Sequence, residues 1–131
     1  MTAFMLDTDI SSYIIKRRPA TLVEKFERHE DTLCVSVMTA AELRFGAVKA
    51  DRPQLTELVE AYLERLAILD WTNEVDGYYA RIRSALERSG RPIGNMDLLI
   101  ASHAASQRIT VVTNNLKHFS SVPDLKVEVW S

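Results

Sequence analysis

Short apolar runs alternate with amphipathic stretches along this chain, and that alternation leaves few folds open. Phe4-Met5-Leu6, Leu33 to Val37, Ala67 to Asp70, Ile109 to Thr113 and Lys126 to Val129 each read as a strand. Periodicity alone does not separate such a run from a buried helix segment; their short length favours strands. Near-continuous apolar strands belong to parallel sheets, which are covered on both faces. Strands alternating with helical patterns build an α/β protein in layers. The expectation is a three-layer α/β fold. Its mostly parallel central sheet has four to five strands, with helices on both faces and the last strand at an edge.

The intervening stretches carry their own punctuation. Ile10, Ile14 and Ile15 share one helix face, and Lys16-Arg17-Arg18-Pro19 closes that helix. Leu22, Val23 and Phe26 mark a second short helix. Thr39-Ala40-Ala41-Glu42 has the capping-box spacing and predicts a helix start. Pro53 suits the first position of the next helix, whose apolar face runs from Leu55 to Leu66. Val75 to Ser89 reads as helix, with Gly90 as a left-handed cap. Asn95 is placed to cap the last helix. The two helices between Thr39 and Leu66 either project as a hairpin with a partner surface or cover one sheet face. No repeat or linker interrupts residues 1–131, which read as one domain.

Composition excludes several classes. Sixteen basic and eighteen acidic residues give a formal charge of −2, a poor match to strong non-specific polyanion binding. Lys16, Arg17, Arg18, Arg44, Lys49, Arg52, Arg91 and Lys117 are scattered and read first as solvated surface. The single cysteine, Cys34, forms no internal disulfide and sits in an apolar run as a small buried hydrophobe. No apolar run approaches membrane-spanning length, and the first residues lack signal-peptide character. The bacterial cytoplasm is the expected location. His29, His103 and His118 show no metal-ligand spacing, and no phosphate-cradling glycine loop is present.

The chemistry candidates are acidic. Asp7 ends the first strand, where ligands of open α/β sheets sit. Glu42 opens the helix after the second strand, and Asn115 follows the fourth. Asp97 opens the helix that leads into the fourth strand, so an unusual loop is needed to bring it to the same edge. Each has a structural reading: Asp7 as a helix cap, Glu42 in its capping box, Asp97 favoured by a helix dipole, Asn115 as a turn residue. Converging, they would offer oxygen ligands to a hard cation such as Mg²⁺ or Mn²⁺. Such a site suits phosphodiester hydrolysis and needs no histidine or nucleophilic side chain.

At this point the chain resembles a known family. Phe4-Met-Leu-Asp7-Thr-Asp, Thr39-Ala-Ala-Glu42-Leu with Gly46, Arg91-Pro-Ile-Gly-Asn-Met-Asp97-Leu-Leu-Ile-Ala, and Val112-Thr-Asn-Asn115 with Phe119 and Trp130 look like a PIN-domain nuclease. More narrowly they resemble the VapC toxins of bacterial type II toxin–antitoxin modules. The resemblance implies a PIN fold with strand one central and Asp97 at the acidic edge. It carries the metal-site roles onto Asp7, Glu42, Asp97 and Asn115, with Thr113 supporting from behind. Many relatives have Asp at the position of Asn115, so this site would carry less charge.

The implied activity is Mg²⁺- or Mn²⁺-dependent endoribonuclease cleavage of structured RNA, commonly tRNA, with the initiator tRNA anticodon stem-loop as one target. It also implies a VapB-type antitoxin, a homodimer, a larger hetero-oligomer with the antitoxin, and promoter DNA bound only through that complex. Two alternatives stand beside it. A PIN-like binding module without catalysis would keep the fold and lose the chemistry. Asp7-Thr8-Asp9-Ile10-Ser11 also resembles the opening of Asp-nucleophile phosphatases, although the later paired acidic motif is missing.

Overall fold

The computed structural model describes residues 2–130; the terminal residues of the expected 1–131 domain, Met1 and Ser131, lie outside the described residues. The strands are β1 (Phe4–Leu6), β2 (Leu33–Ser36), β3 (Ala67–Leu69), β4 (Thr110–Thr113) and β5 (Val127–Val129). The helices are α1 (Thr8–Ile15), α2 (Ala20–Arg28), α3 (Val37–Ala50), α4 (Pro53–Glu64), α5 (Asn73–Arg88) and α6 (Asn95–Gln107). The sheet order is β3-β2-β1-β4-β5, with every pairing parallel. The expectation of a mostly parallel sheet is met by a wholly parallel one, with β1 central and β5 at an edge.

The two-residue period of a strand sorts the core into two layers. Leu6, Val35 and Val112 pack on one face with α1, α2, α3 and α4, around Ile10, Phe26, Val59 and Tyr62. Met5, Cys34 and Val111 pack on the other with α5 and α6, around Ile82, Leu86, Ile100 and Phe119. Cys34 is fully buried, and burial pushes its thiol up to about 12, so it is an inert hydrophobe. The α3–α4 pair covers the sheet face: Leu43, Ala47, Val59, Tyr62 and Leu63 are all buried. Arg44 donates two hydrogen bonds of 2.9 Å to Glu60 and ties the pair together.

Local signals explain most boundaries. Pro53 occupies the start of α4, where its missing N–H costs nothing. After α5, the Gly90 N–H donates to Glu87 O and the Arg91 N–H to Leu86 O, with Gly90 at φ +70°. That is the paired 5→2 and 6→1 arrangement of a left-handed helix stop, which glycine adopts without a Cβ clash.

Two starts differ from expectation. α3 begins at Val37, with Ser36 as its cap: the Ser36 hydroxyl accepts from Met38 N at 3.1 Å. Strand β2 runs directly into the helix, so the hydroxyl at its last residue reaches the free amides before Thr39 does. Thr39 and Glu42 therefore do not form a capping box. α6 begins at Asn95 with Gly94 in the cap position, and no side chain caps it.

Ser36 has a second partner. His103 of α6 is buried, and its Nδ1 lies 2.7 Å from Ser36 Oγ. One hydroxyl thus serves the cap of α3 and a core histidine on α6. Ser36→Ala is expected to cost about 2–3 kcal/mol, the sum of a lost cap and an unpaired buried imidazole nitrogen. Urea unfolding of the variant measures it.

Candidate active site

The connection from β3 to β4 decides where Asp97 lies. It holds two helices, α5 and α6, packed against each other across the loop 89–94. Packed helices joined by a short loop run antiparallel. The two helices also share a cavity, lined by Tyr78, Ile82 and Ala85 of α5 and by Ala105 and Arg108 at the far end of α6. α6 must finish where β4 begins, so it starts at the carboxyl edge of the sheet. No unusual loop is required. A helix that feeds a parallel strand starts at the opposite sheet edge, and α5 returns the chain to that point.

Asp7 follows β1 and caps α1. Its backbone N–H still donates to Val112 O at 3.0 Å, and its Oδ1 accepts from Ile10 N at 2.8 Å. The cap reading and the chemical reading hold together, because one carboxylate oxygen caps the helix and the other is left over. Asp7 is only 3% exposed. Burial pushes its pKa up to about 6, opposed by hydrogen bonding from Thr113 and Ile10, and the charges of Asp9 and Asp97 push the same way as burial. Among the described residues, no cation offsets it. Asp9 lies in the first turn of α1 and adds negative charge to the site.

Asp97 is half-buried in the first turn of α6. Burial raises its pKa; His118 opposes that and Asp9 reinforces it. The α1 and α6 N-termini thus present two carboxylates to one place, each favoured by the positive end of its helix. Thr113 is fully buried at the end of β4, and its Oγ1 accepts from Asn115 N at 3.0 Å. Asn115 starts a single 3₁₀ turn, Leu116–His118, and its Oδ1 accepts from Lys117 N at 3.2 Å. Glu42 stands apart. It is exposed in the second turn of α3, one turn beyond Thr39, whose hydroxyl accepts from Thr8 Oγ1 at 3.3 Å next to Asp7.

One residue escaped sequence reasoning. His118 Nδ1 lies 3.3 Å from Asp97 Oδ2, and its Nε2 lies 3.1 Å from Asn115 Nδ2. A search for histidines spaced as metal ligands passes over it. The signal that finds it is Asn-x-x-His across one tight turn at the end of a strand.

The donor set can be tested against a divalent metal. Among the described residues, no three His, Cys, Asp or Glu side chains gather closely enough to enclose one ion. Two neighbouring carboxylates, Asp7 and Asp97, with oxygen-bearing neighbours suit instead a hard cation that keeps part of its water shell. Mg²⁺ is commonly held that way, by one or two carboxylates together with substrate phosphate. The site lies on an open rim. A cavity of about 500 Å³ opens at the opposite edge, beside Arg108, Leu125 and Lys126, and contains none of these acidic groups.

An all-parallel sheet with paired carboxylates at its carboxyl edge defines an α/β protein built for phosphate or metal chemistry. The PIN domain family matches residues 4–125. Ribonuclease VapC2 of Haemophilus influenzae is 39% identical over 131 residues, 99% of each chain. The tRNA(fMet)-specific endonuclease VapC of Shigella flexneri is 38% identical over 132 residues, 100% of both. DNA-bound VapBC from Salmonella typhimurium holds a chain with a TM-score of 0.96 at 37% identity, covering 100% of both chains. VapBC2 from Rickettsia felis, bound to a promoter fragment, gives 0.93 at 37%, covering 99% and 100%.

The chain belongs to the PIN-domain family, in its VapC ribonuclease branch. It is a nuclease of a toxin–antitoxin family, and PIN-domain nucleases generally use a divalent metal. That membership leaves the phosphatase reading of Asp7-Thr8-Asp9 without support. Among the described residues, no helix is long and apolar enough to cross a membrane.

Proposed function

We propose that this protein is a VapC-type toxin that cleaves structured RNA with Mg²⁺ or Mn²⁺ held by Asp7 and Asp97. The observation that supports this most is the buried Asp7 carboxylate, held in its charged form by no basic side chain, with the Asp97 carboxylate beside it. Glu42, exposed on α3, completes the proposed donor set, with Thr113 at the end of β4 and Asn115 just after it in support. A bound Mg²⁺ or Mn²⁺ would supply Lewis-acid activation of water and neutralise charge on the scissile phosphate.

The chain's own groups set the reaction's geometry. Thr113 and the Ile10 amide hold Asp7 in one orientation, leaving a carboxylate oxygen for the site. Asp97 stands opposite. Asp9, whose charge bears on both Asp7 and Asp97, would take a proton from the attacking water. No histidine is needed as a base.

The substrate proposed is tRNA, with the initiator tRNA anticodon stem-loop as the first target to test, because the Shigella relative at 38% identity is named for tRNA(fMet). The partner proposed is a VapB-type antitoxin, as in the solved complexes, with promoter DNA reached through the antitoxin. Homodimerisation, assembly with the antitoxin into a larger complex, action as one domain, and a place in the bacterial cytoplasm beside its RNA substrate complete the reading.

The test uses purified antitoxin-free protein and total bacterial RNA with Mg²⁺ or Mn²⁺, with new ends mapped by sequencing. A discrete cut in one RNA class is expected, lost with EDTA. Asp97→Asn should fold normally and cleave at least about tenfold more slowly, as loss of a group that orients or charges the site does. Full activity in folded Asp97→Asn protein would sink the assignment.

A further inference from the structure

We propose that His118 is a positioning residue that clamps Asp97 against the end of β4, with Asn115 as its brace. The proposal rests on the reading of Asp97 as a site carboxylate. His118 touches Asp97 through Nδ1 at 3.3 Å and Asn115 through Nε2 at 3.1 Å. These partners differ in kind. The carboxylate only accepts, and the amide nitrogen only donates. One neutral tautomer satisfies both: Nδ1 carries the proton and donates to Asp97 Oδ2, while the Nε2 lone pair accepts from Asn115.

The amide orientation is set independently. The Lys117 backbone N–H needs an acceptor, and Asn115 Oδ1 supplies it at 3.2 Å. Asn115 Nδ2 is thereby turned toward His118. The Asn115 backbone N–H donates to Thr113 Oγ1 at 3.0 Å. A continuous path runs from buried Thr113 through Asn115 and His118 to Asp97. Phe119, 1% exposed, anchors the residue next in sequence in the core under α6. The turn is therefore held on both sides of the histidine.

The consequence concerns how Asn115 contributes. Its oxygen is occupied in the turn and its nitrogen is on the imidazole, so it reaches the site through His118. Asp97 keeps its second oxygen free while Oδ2 is fixed. Carboxylates that hold a metal are oriented by such outer hydrogen bonds, and removing one typically lowers metal affinity 10–100-fold.

Two measurements test the clamp. Long-range ¹H–¹⁵N spectra of the metal-free protein, at a pH where the ring is neutral, should show Nδ1 protonated and Nε2 bare. Asn115→Ala should release the ring toward the other tautomer. An Nε2-protonated ring in the wild-type protein would overturn the proposal. Calorimetric titration with Mn²⁺ then compares wild type, His118→Ala and His118→Asn. His118→Ala should bind Mn²⁺ about tenfold more weakly. His118→Asn keeps an N–H near the position of Nδ1 and should stay within about threefold of wild type. Unchanged or tighter Mn²⁺ binding by folded His118→Ala overturns the clamp. A wild-type protein that binds no Mn²⁺ would refute the metal reading of Asp97, and the tautomer would then decide the clamp by itself.

Discussion

Replacing Asp7 by asparagine is expected to abolish RNA cleavage and, in the same protein, to stabilise the metal-free fold above pH 6. The two effects share one cause. Asp7 is 3% exposed, with acidic neighbours and no cation, so its ionised form is disfavoured in the folded state. Its pKa is raised from 3.8 to about 6. The folded chain therefore holds a proton between those values that the unfolded chain has already released. Stability contributed by that proton is complete below about pH 4 and is lost as pH rises through about 6. A shift of this size is worth on the order of 2–3 kcal/mol.

Asparagine is neutral at every pH and keeps an oxygen for the Ile10 amide, so the variant escapes this loss. In EDTA at pH 8 it should unfold at higher temperature or urea concentration than wild type. Cleavage should fall by on the order of 100-fold or more, as when a preorganised charge is removed from a transition-state site. Mg²⁺ should close most of that gap. At a hundred times its Kd a ligand stabilises its folded protein by about 2.7 kcal/mol, a gain open to wild type only. Equal melting of both proteins in EDTA across pH 4–8 would show that Asp7 is not a strained carboxylate.

The second large effect is on the fold itself. Phe119→Ala is expected to cost about 3–5 kcal/mol, the range for removing a fully buried aromatic ring. Phe119 is 1% exposed and packs with Val111, Ile100 and Val122 on the α5–α6 side of the sheet. It also follows the turn that carries Asn115 and His118. The cavity left behind should loosen that turn before it unfolds the sheet. Denaturant unfolding measures the first loss. Faster amide exchange at Asn115 to His118, with β1 still protected, measures the second. A global loss below about 1 kcal/mol would mean that the surrounding side chains collapse into the space.

Much of the fold was legible along the chain. Apolar runs of strand length between amphipathic stretches determined a parallel sheet clothed on both faces. Pro53 and Gly90 marked helix ends because their backbone preferences act locally, whatever packs around them. Asp7 and Asp97 were legible as candidate site residues because each immediately precedes or opens a helix at the sheet's carboxyl edge, and because the motifs around them resemble those of the PIN-domain family.

Other features depended on contacts between distant segments. Ser36, not Thr39, starts α3, because β2 runs into the helix without a loop and the nearer hydroxyl captures the free amide. Two antiparallel helices carry Asp97 to the acidic edge, a consequence of where β4 begins. Asp7's raised pKa needs a surrounding core and the nearby Asp9 and Asp97 charges, which only chain folding brings together. His118 carried no signal in its own neighbourhood as a metal ligand; its partner Asp97 lies on another element. By itself the sequence determined the layers, the family and the two candidate carboxylates, since these follow from local periodicity and motif. The tertiary structure decided protonation, capping and the histidine at Asp97, since each depends on atoms that share a place in space but not in the chain.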